Sequence, residues 1–156
     1  MNEIQDYSEP FILFELAGTT YGIPASVVQQ MEMVEHITPV PNAPYFVEGV
    51  AFSRGQVIPA INLRLRFGFE KILYDVRTRL IVIHKNNRSV GLIADTAREF
   101  ISISHSLVQP LPEEISGLSG RYLSGIAILN ERMVLILNVD EVITLTNVAS
   151  AVLVNS

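Results

Sequence analysis

The sequence predicts an all-β fold of two small barrels related by an internal pseudo-symmetry, with a few short helices. Three observations predict it. The first is a repeat: Phe46-Val47-Glu48-Gly49-Val50-Ala51-Phe52 returns as Tyr122-Leu123-Ser124-Gly125-Ile126-Ala127-Ile128. Val57 to Leu63 then returns as Met133 to Val139 at the same spacing of 76 residues. Looser echoes precede these, Pro39-Val40-Pro41 in Pro110-Leu111-Pro112 and Tyr21-Gly22-Ile23 in Val90-Gly91-Leu92. The second observation is a series of short apolar runs separated by turn residues, the pattern of a sandwich or barrel. The third is composition. With 49% hydrophobic and only 17% charged residues, the chain can fill buried strands and still leave apolar patches for partners. Barrel closure hides strand edges that would otherwise pair with other chains.

The elements follow in order. Residues 1–10 are polar and end in proline, a flexible lead-in. Phe11 to Leu16 is a strand, 17–20 a turn, and Tyr21 to Ile23 the return strand. Pro24 suits the first turn of a helix, and Val27, Val28, Met31 and Val34 fall at helical spacing behind it. Three prolines make 37–45 an extended connector. Phe46 to Phe52 and Val57 to Leu63 form a hairpin whose turn, 53–56, draws positive φ from Gly55. Residues 64–77 are a charged loop. Leu80 to His84 and Ser89 to Ala94 make a second hairpin. Asp95 is placed to cap one helical turn to Arg98, and Phe100 to Ile103 alternates as a strand. Residues 104–120 form a long polar connector. Tyr122 to Leu129 and Met133 to Val139 make the last hairpin, and Asp140 caps a short helix ending near Leu145. Residues 146–156 carry no pattern and read as a second flexible tail.

The net charge of −5 argues against nucleic acid and against anionic membrane surfaces, both of which call for a basic face. There is no cysteine, so disulfide and thiolate chemistry are excluded. No basic-then-apolar leader and no apolar run of about 18 residues is visible, so the chain reads as cytoplasmic, without membrane insertion.

A search for chemistry finds little. His36, His84 and His105 have no partners at metal-ligand spacing, so no metal site and no cofactor are expected. There is no nucleophile elbow and no glycine-rich phosphate cradle. Glu113-Glu114 could serve acid–base chemistry if buried, but reads as a solvated acidic loop. The chain is therefore not expected to be an enzyme. Arg54 stands out at a hairpin tip in an apolar run, where its repeat counterpart is Asn130. It is either a solvated turn arginine or a docking residue, since the planar guanidinium is favoured at interfaces.

Taken together, the Tyr21-Gly22-Ile23 strand, the Pro39–Pro44 connector, Phe46-Val47-Glu48-Gly49-Val50, Arg54-Gly55 and Val57 to Arg64 resemble the CheW-like coupling proteins of bacterial chemotaxis. Val90 to Asp95 and Tyr122 to Gly125 complete a resemblance that covers about residues 11–145. It implies two intertwined five-stranded SH3-like β-barrels, the first about 17–77 and the second about 78–145, with the N-terminal strand a candidate for exchange. It implies a non-catalytic adaptor that couples the cytoplasmic tips of methyl-accepting chemoreceptors to the regulatory domain of a CheA-type histidine kinase, in receptor arrays at the membrane. Alternatives are a coupling protein of a twitching or phototaxis pilus system and a small-ligand-binding β-barrel that uses the cleft between barrels. By position, the resemblance puts receptor contacts at Val28, Gln30, Met31, Arg54, Val57 and Leu80. It puts kinase contacts at Gly49, Gln109, Glu113 and Glu114. Four positions depart from the family pattern: Gln30, Ser53, Asn62 and Glu114.

Overall fold

The computed structural model describes residues 7–115 and 120–145. Residues 1–6 and 146–156, within the expected tails, lie outside the described residues. The strands are β1 (Ser8–Leu16), β2 (Thr19–Pro24), β3 (Val28–Met33), β4 (Ile37–Thr38), β5 (Val47–Ser53) and β6 (Gln56–Asn62). A helical turn α1 (Leu63–Arg66) precedes β7 (Arg79–Lys85), β8 (Arg88–Ala94) and β9 (Thr96–Ser104). Then come β10 (Val108–Gln109), β11 (Leu123–Leu129), β12 (Arg132–Leu137) and a second helical turn α2 (Val139–Val142).

The strands form two six-stranded sheets, in the orders β10-β11-β12-β2-β1-β9 and β3-β7-β8-β6-β5-β4. Exchanging each strand for its repeat counterpart turns one order into the other, read backwards. Each half of the sequence lends its opening hairpin to the other half's sheet. The hairpin β1–β2 joins the C-terminal strands, and β7–β8 joins β3 and β6. The seams are the parallel pairs β12–β2 and β6–β8.

This corrects the expectation of closed five-stranded barrels. The sheets have six strands each, and neither hydrogen-bonded ladder closes on itself. The reason is local. β4 and β10 are only two residues long, and a 3₁₀ turn, His105–Leu107, stands between β9 and β10.

The exchange explains the continuous apolar runs of β1 and β7, because these strands are covered on both faces. Phe11 and Leu13 point into a core inside the first sheet with Ile103, Ala127, Val134 and Ile136. Leu80 and Val82 point into its counterpart in the second sheet, with Ala51, Ile58, Ala60 and Ile93. Ile12, Phe14, Ile81 and Ile83 meet in a larger central core between the sheets, with Phe46, Leu63, Leu92, Leu137 and Val139.

Among the described residues four tight hairpins turn in two residues, Ala17-Gly18, Arg54-Gly55, Asn86-Asn87 and Asn130-Glu131, each with positive φ at both positions. Such turns match the right-handed twist of the strands. The two helical turns are also repeat counterparts. Asn62 caps α1 by accepting from Leu65 N at 3.2 Å, and Asn138 caps α2 by accepting from Glu141 N at 3.3 Å. Asn138, not Asp140, is therefore the cap.

Three other local expectations fail for identifiable reasons. The helix expected after Pro24 is a 3₁₀ turn (Ala25–Val27) followed by β3. A bulge at Gln29 disturbs the strand alternation, and the apolar spacing then imitates a helix. The turn expected at 95–98 is the start of β9. The Asp95 carboxylate accepts instead from Ala17 N at 2.9 Å and from Arg64 Nε at 2.8 Å. Ser8 to Pro10, expected in the flexible lead-in, pair with Ser102 to Ser104.

Candidate functional site

Of the residues that sequence reasoning singled out for receptor contact, Val28 packs against the central core between the sheets. Gln30, Arg54, Val57 and Leu80 gather at the mouth of the second sheet. Its end strand β3 curls towards the β5–β6 hairpin, two strands that share no ladder. Side chains make the closure. Gln30 Nε2 donates to Ser53 Oγ at 2.5 Å and to Glu32 Oε2, and Ser53 Oγ donates to the same Glu32 oxygen at 3.1 Å. Ser53 is buried within this clamp. The first sheet closes at the equivalent place by an ion pair. Glu99 follows the same bulge in β9 that Gln30 follows in β3, and Arg132 Nη1 donates to Glu99 Oε2 at 3.0 Å.

Beside the clamp the unclosed seam leaves a hollow of about 520 Å³. Val34, Ile37, Ala51 and Leu80 give it an apolar wall, and Glu32 and Arg54 also line it. At its rim the register sets Phe52 against Val57, and these side chains are 73% and 67% exposed. Met31 and Met33 are exposed on β3. The mouth thus sets apolar side chains beside polar ones: the half-buried Glu32, and Glu35, His36 and Arg54.

Of the six expected receptor-contact residues, Arg54, Val57 and Leu80 line this hollow, and Leu80 is otherwise a core residue. Gln30 belongs to the clamp and lines an adjoining recess with Arg54. Met31 lies on the outer face of β3. Val28 packs against the central core. Among the expected kinase contacts, Gly49 has a structural duty: a Cβ there would stand 2.0 Å from Thr38 O, and φ is +149°. Gln109 is exposed on β10, and Glu113 and Glu114 sit on an exposed 3₁₀ turn (Glu113–Ile115). The structure does not bring these three next to Gly49.

Sequence reasoning missed Phe52, Met33, Glu32 and Ser53. A signal existed for Phe52. In β5 the alternation that buries Ala51 and Ser53 turns Phe52 outward, and a large aromatic at an outward position is a candidate contact. Ser53 stood out only as a departure from the family pattern and Glu32 not at all, because their meeting depends on the bend of the whole sheet.

Two further polar clusters support the scaffold behind the mouth. Asn62 Nδ2 donates to Glu48 Oε1 at 3.0 Å and to Tyr74 Oη at 3.3 Å, and Lys71 pairs with Glu48 at 3.0 Å. Burial, then the Glu48 charge, pushes the Tyr74 hydroxyl well above its ordinary range. Arg64 holds Asp95 through two hydrogen bonds, and the Asp95 side chain raises the arginine's pKa. Among the described residues no group of acidic, histidine or cysteine side chains is arranged to hold a metal ion, and no helix is long and apolar enough to cross a membrane.

Comparison with known proteins gives a consistent picture. The family model of the CheW-like domain matches residues 10–147. The chain is 36% identical to a chemotaxis protein CheW of Helicobacter pylori, over 85% of this chain and 80% of that one. It is 31% identical to a chemotaxis protein CheW of Klebsiella aerogenes, over 87% and 82% of the two chains. The fold is similar to the crystal structure of the scaffolding protein TtCheW from Thermoanaerobacter tengcongensis, with a TM-score of 0.78 and 30% identity, covering 85% of this chain and 90% of that one.

Proposed function

The chain belongs to the CheW-like family, and from that premise we propose that it works as a non-catalytic adaptor of chemotaxis signalling, coupling the cytoplasmic tips of chemoreceptors to the regulatory domain of a CheA-type histidine kinase. The observation that carries this reading is that the family match, residues 10–147, takes in every described strand but for the first two residues of β1. The mouth of the second sheet supports it physically. Exposed Phe52, Val57 and Met33 offer area to an amphipathic receptor helix, and area burial drives helix-in-groove docking. Arg54 at the rim would set its register. We read each sheet, with its side-chain closure, as one SH3-like barrel of the intertwined pair. The kinase would make two separate contacts, one at the β4–β5 edge around Gly49 and one at the exposed Gln109, Glu113 and Glu114, in the cytoplasm at membrane-bound receptor arrays.

The test is titration calorimetry with two purified fragments, a chemoreceptor cytoplasmic tip and a CheA-type regulatory domain from the same genome. Binding of each, and a ternary complex on size-exclusion chromatography, is the expected result. A folded chain that binds neither fragment overturns the reading.

A further inference from the structure

We infer that Glu32 is a specificity determinant of the receptor-docking mouth, and that the segment docking there brings a lysine or arginine side chain to its carboxylate. This inference rests on the adaptor reading of the same site.

The argument starts from what covering the hollow would do. Glu32 stands on the inward face of β3, opposite Leu80 in the register, and lines the hollow beside Val34, Ala51 and Leu80. Its Oε2 accepts from Gln30 and Ser53, both neutral, and among the described residues no lysine, arginine or histidine pairs with it. Glu32 is half-buried at the open mouth, within reach of solvent. A partner that seals the apolar wall removes that access. A half-buried carboxylate then loses its solvation, and neutral donors alone compensate it poorly. A partner with only apolar side chains, or with an acid at this place, is penalised. One that lays the aliphatic stem of a lysine or arginine along Val34 and Leu80, with its head at Glu32, is not. The site selects by exclusion as much as by attraction. The first sheet has no carboxylate at that place: its register puts Ile101 where the second sheet has Glu32, and its Glu99, the counterpart of Gln30, is already paired with Arg132.

Of the protein's own basic side chains that line the hollow, His36 and Arg54, the arginine is the stronger competing source of charge. It lines the same hollow but makes no ion pair among the described residues. Its backbone is fixed at the hairpin tip with φ +47°.

The experiment is calorimetry of the receptor-tip fragment against wild type, Glu32→Gln, Arg54→Ala and the double variant, at low and high salt. Glu32→Gln keeps a side chain that can bond Ser53. Expected are at least tenfold weaker binding for Glu32→Gln, the same loss in the Arg54→Ala background, and a shallower salt dependence in the variant. Unchanged affinity of Glu32→Gln, with wild type binding, overturns the inference and leaves the adaptor reading intact. A loss that disappears in the Arg54→Ala background assigns the cation to Arg54 and also overturns it. If wild type itself does not bind the fragment, both readings fall. Should Glu32→Gln fail to fold, the wild-type salt series decides: affinity independent of salt overturns the inference.

Discussion

The guanidinium carbon of Arg66 lies 3.8 Å from the centre of the Phe46 ring. On its other side Tyr122, the repeat counterpart of Phe46, is 4.9 Å away. The repeat has thus placed two aromatic rings at equivalent points of the two halves, and one arginine from α1 lies between them. Its Nη2 donates to Glu141 O at 3.1 Å and to Thr144 O at 2.5 Å. Arg88 Nη2 donates to Ile143 O at 2.9 Å. Two cations, Arg66 from the first half and Arg88 from the second, thereby hold carbonyls at the end of α2, where the helix dipole favours positive charge. Burial lowers the Arg66 pKa from its ordinary value, but the group stays charged.

Arg66→Ala is expected to cost about 2–4 kcal/mol of folding stability, from lost charged hydrogen bonds, cation–π contact and buried volume. Arg66→Met should recover part of that, since it keeps volume without a charge to bury. Urea denaturation measures both. A loss below about 1 kcal/mol for the alanine variant would show that solvent already satisfies the α2 carbonyls.

Gly49 and Gly125 are repeat counterparts with unequal constraints. A Cβ at Gly49 meets Thr38 O at 2.0 Å in a positive-φ backbone, whereas at Gly125 the nearest atom, Gln109 O, is at 3.0 Å. Gly49→Ala should cost upwards of about 2 kcal/mol and detach β4, while Gly125→Ala should cost less, about 1 kcal/mol. Thermal melts of the two variants make the comparison, and equal losses would contradict it. Reduced kinase binding in Gly49 variants would then report lost structure, not a lost contact.

The repeat was legible in the sequence because apolar strands that pack alike keep alike residues, and it located all four hairpins. The exchange of hairpins between sheets was not legible. Residues 11–23 and 80–94 read as hairpins whichever sheet they join, and only the double burial of Phe11 to Phe14 and Leu80 to Ile83 hints at two cores. The candidate site was half legible. Arg54 and Val57 could be found from a turn and an alternation. The Gln30–Ser53–Glu32 clamp could not, since it joins strands with no ladder between them. Val28, Met31 and Val34 misled because a bulge imitates helical spacing.

The Glu99–Arg132 pair gives a pH signature. The Arg132 hydrogen bond, first, holds the Glu99 carboxyl below its ordinary range. A depressed folded-state pKa adds stability that is present above the unfolded value of about 4.3 and is lost as pH falls through the folded one. Both side chains are more than a third exposed, 42% and 41%, so solvent screening keeps the contribution below about 1 kcal/mol. Glu99→Gln should therefore be slightly less stable than wild type at pH 7, and the gap should close on acidification below about pH 4. A gap that widens in acid would refute the assignment.

Arg54 occupies a left-handed backbone position, φ +47°, that asparagine fits better. At the equivalent tip of the repeat the residue is Asn130, with φ +48°. Arg54→Asn should raise stability by about 0.5–1 kcal/mol, because asparagine bears the left-handed turn at lower cost. If the guanidinium orients the docked receptor helix, the same variant should bind the receptor tip at least several-fold more weakly, a trade of stability against function. Arg54→Glu should leave the circular dichroism spectrum unchanged, the side chain being exposed at a turn, and weaken binding further by reversing the charge. A variant at this position that gains stability and keeps full affinity would make Arg54 an ordinary turn residue and move the register contact to Phe52 and Val57.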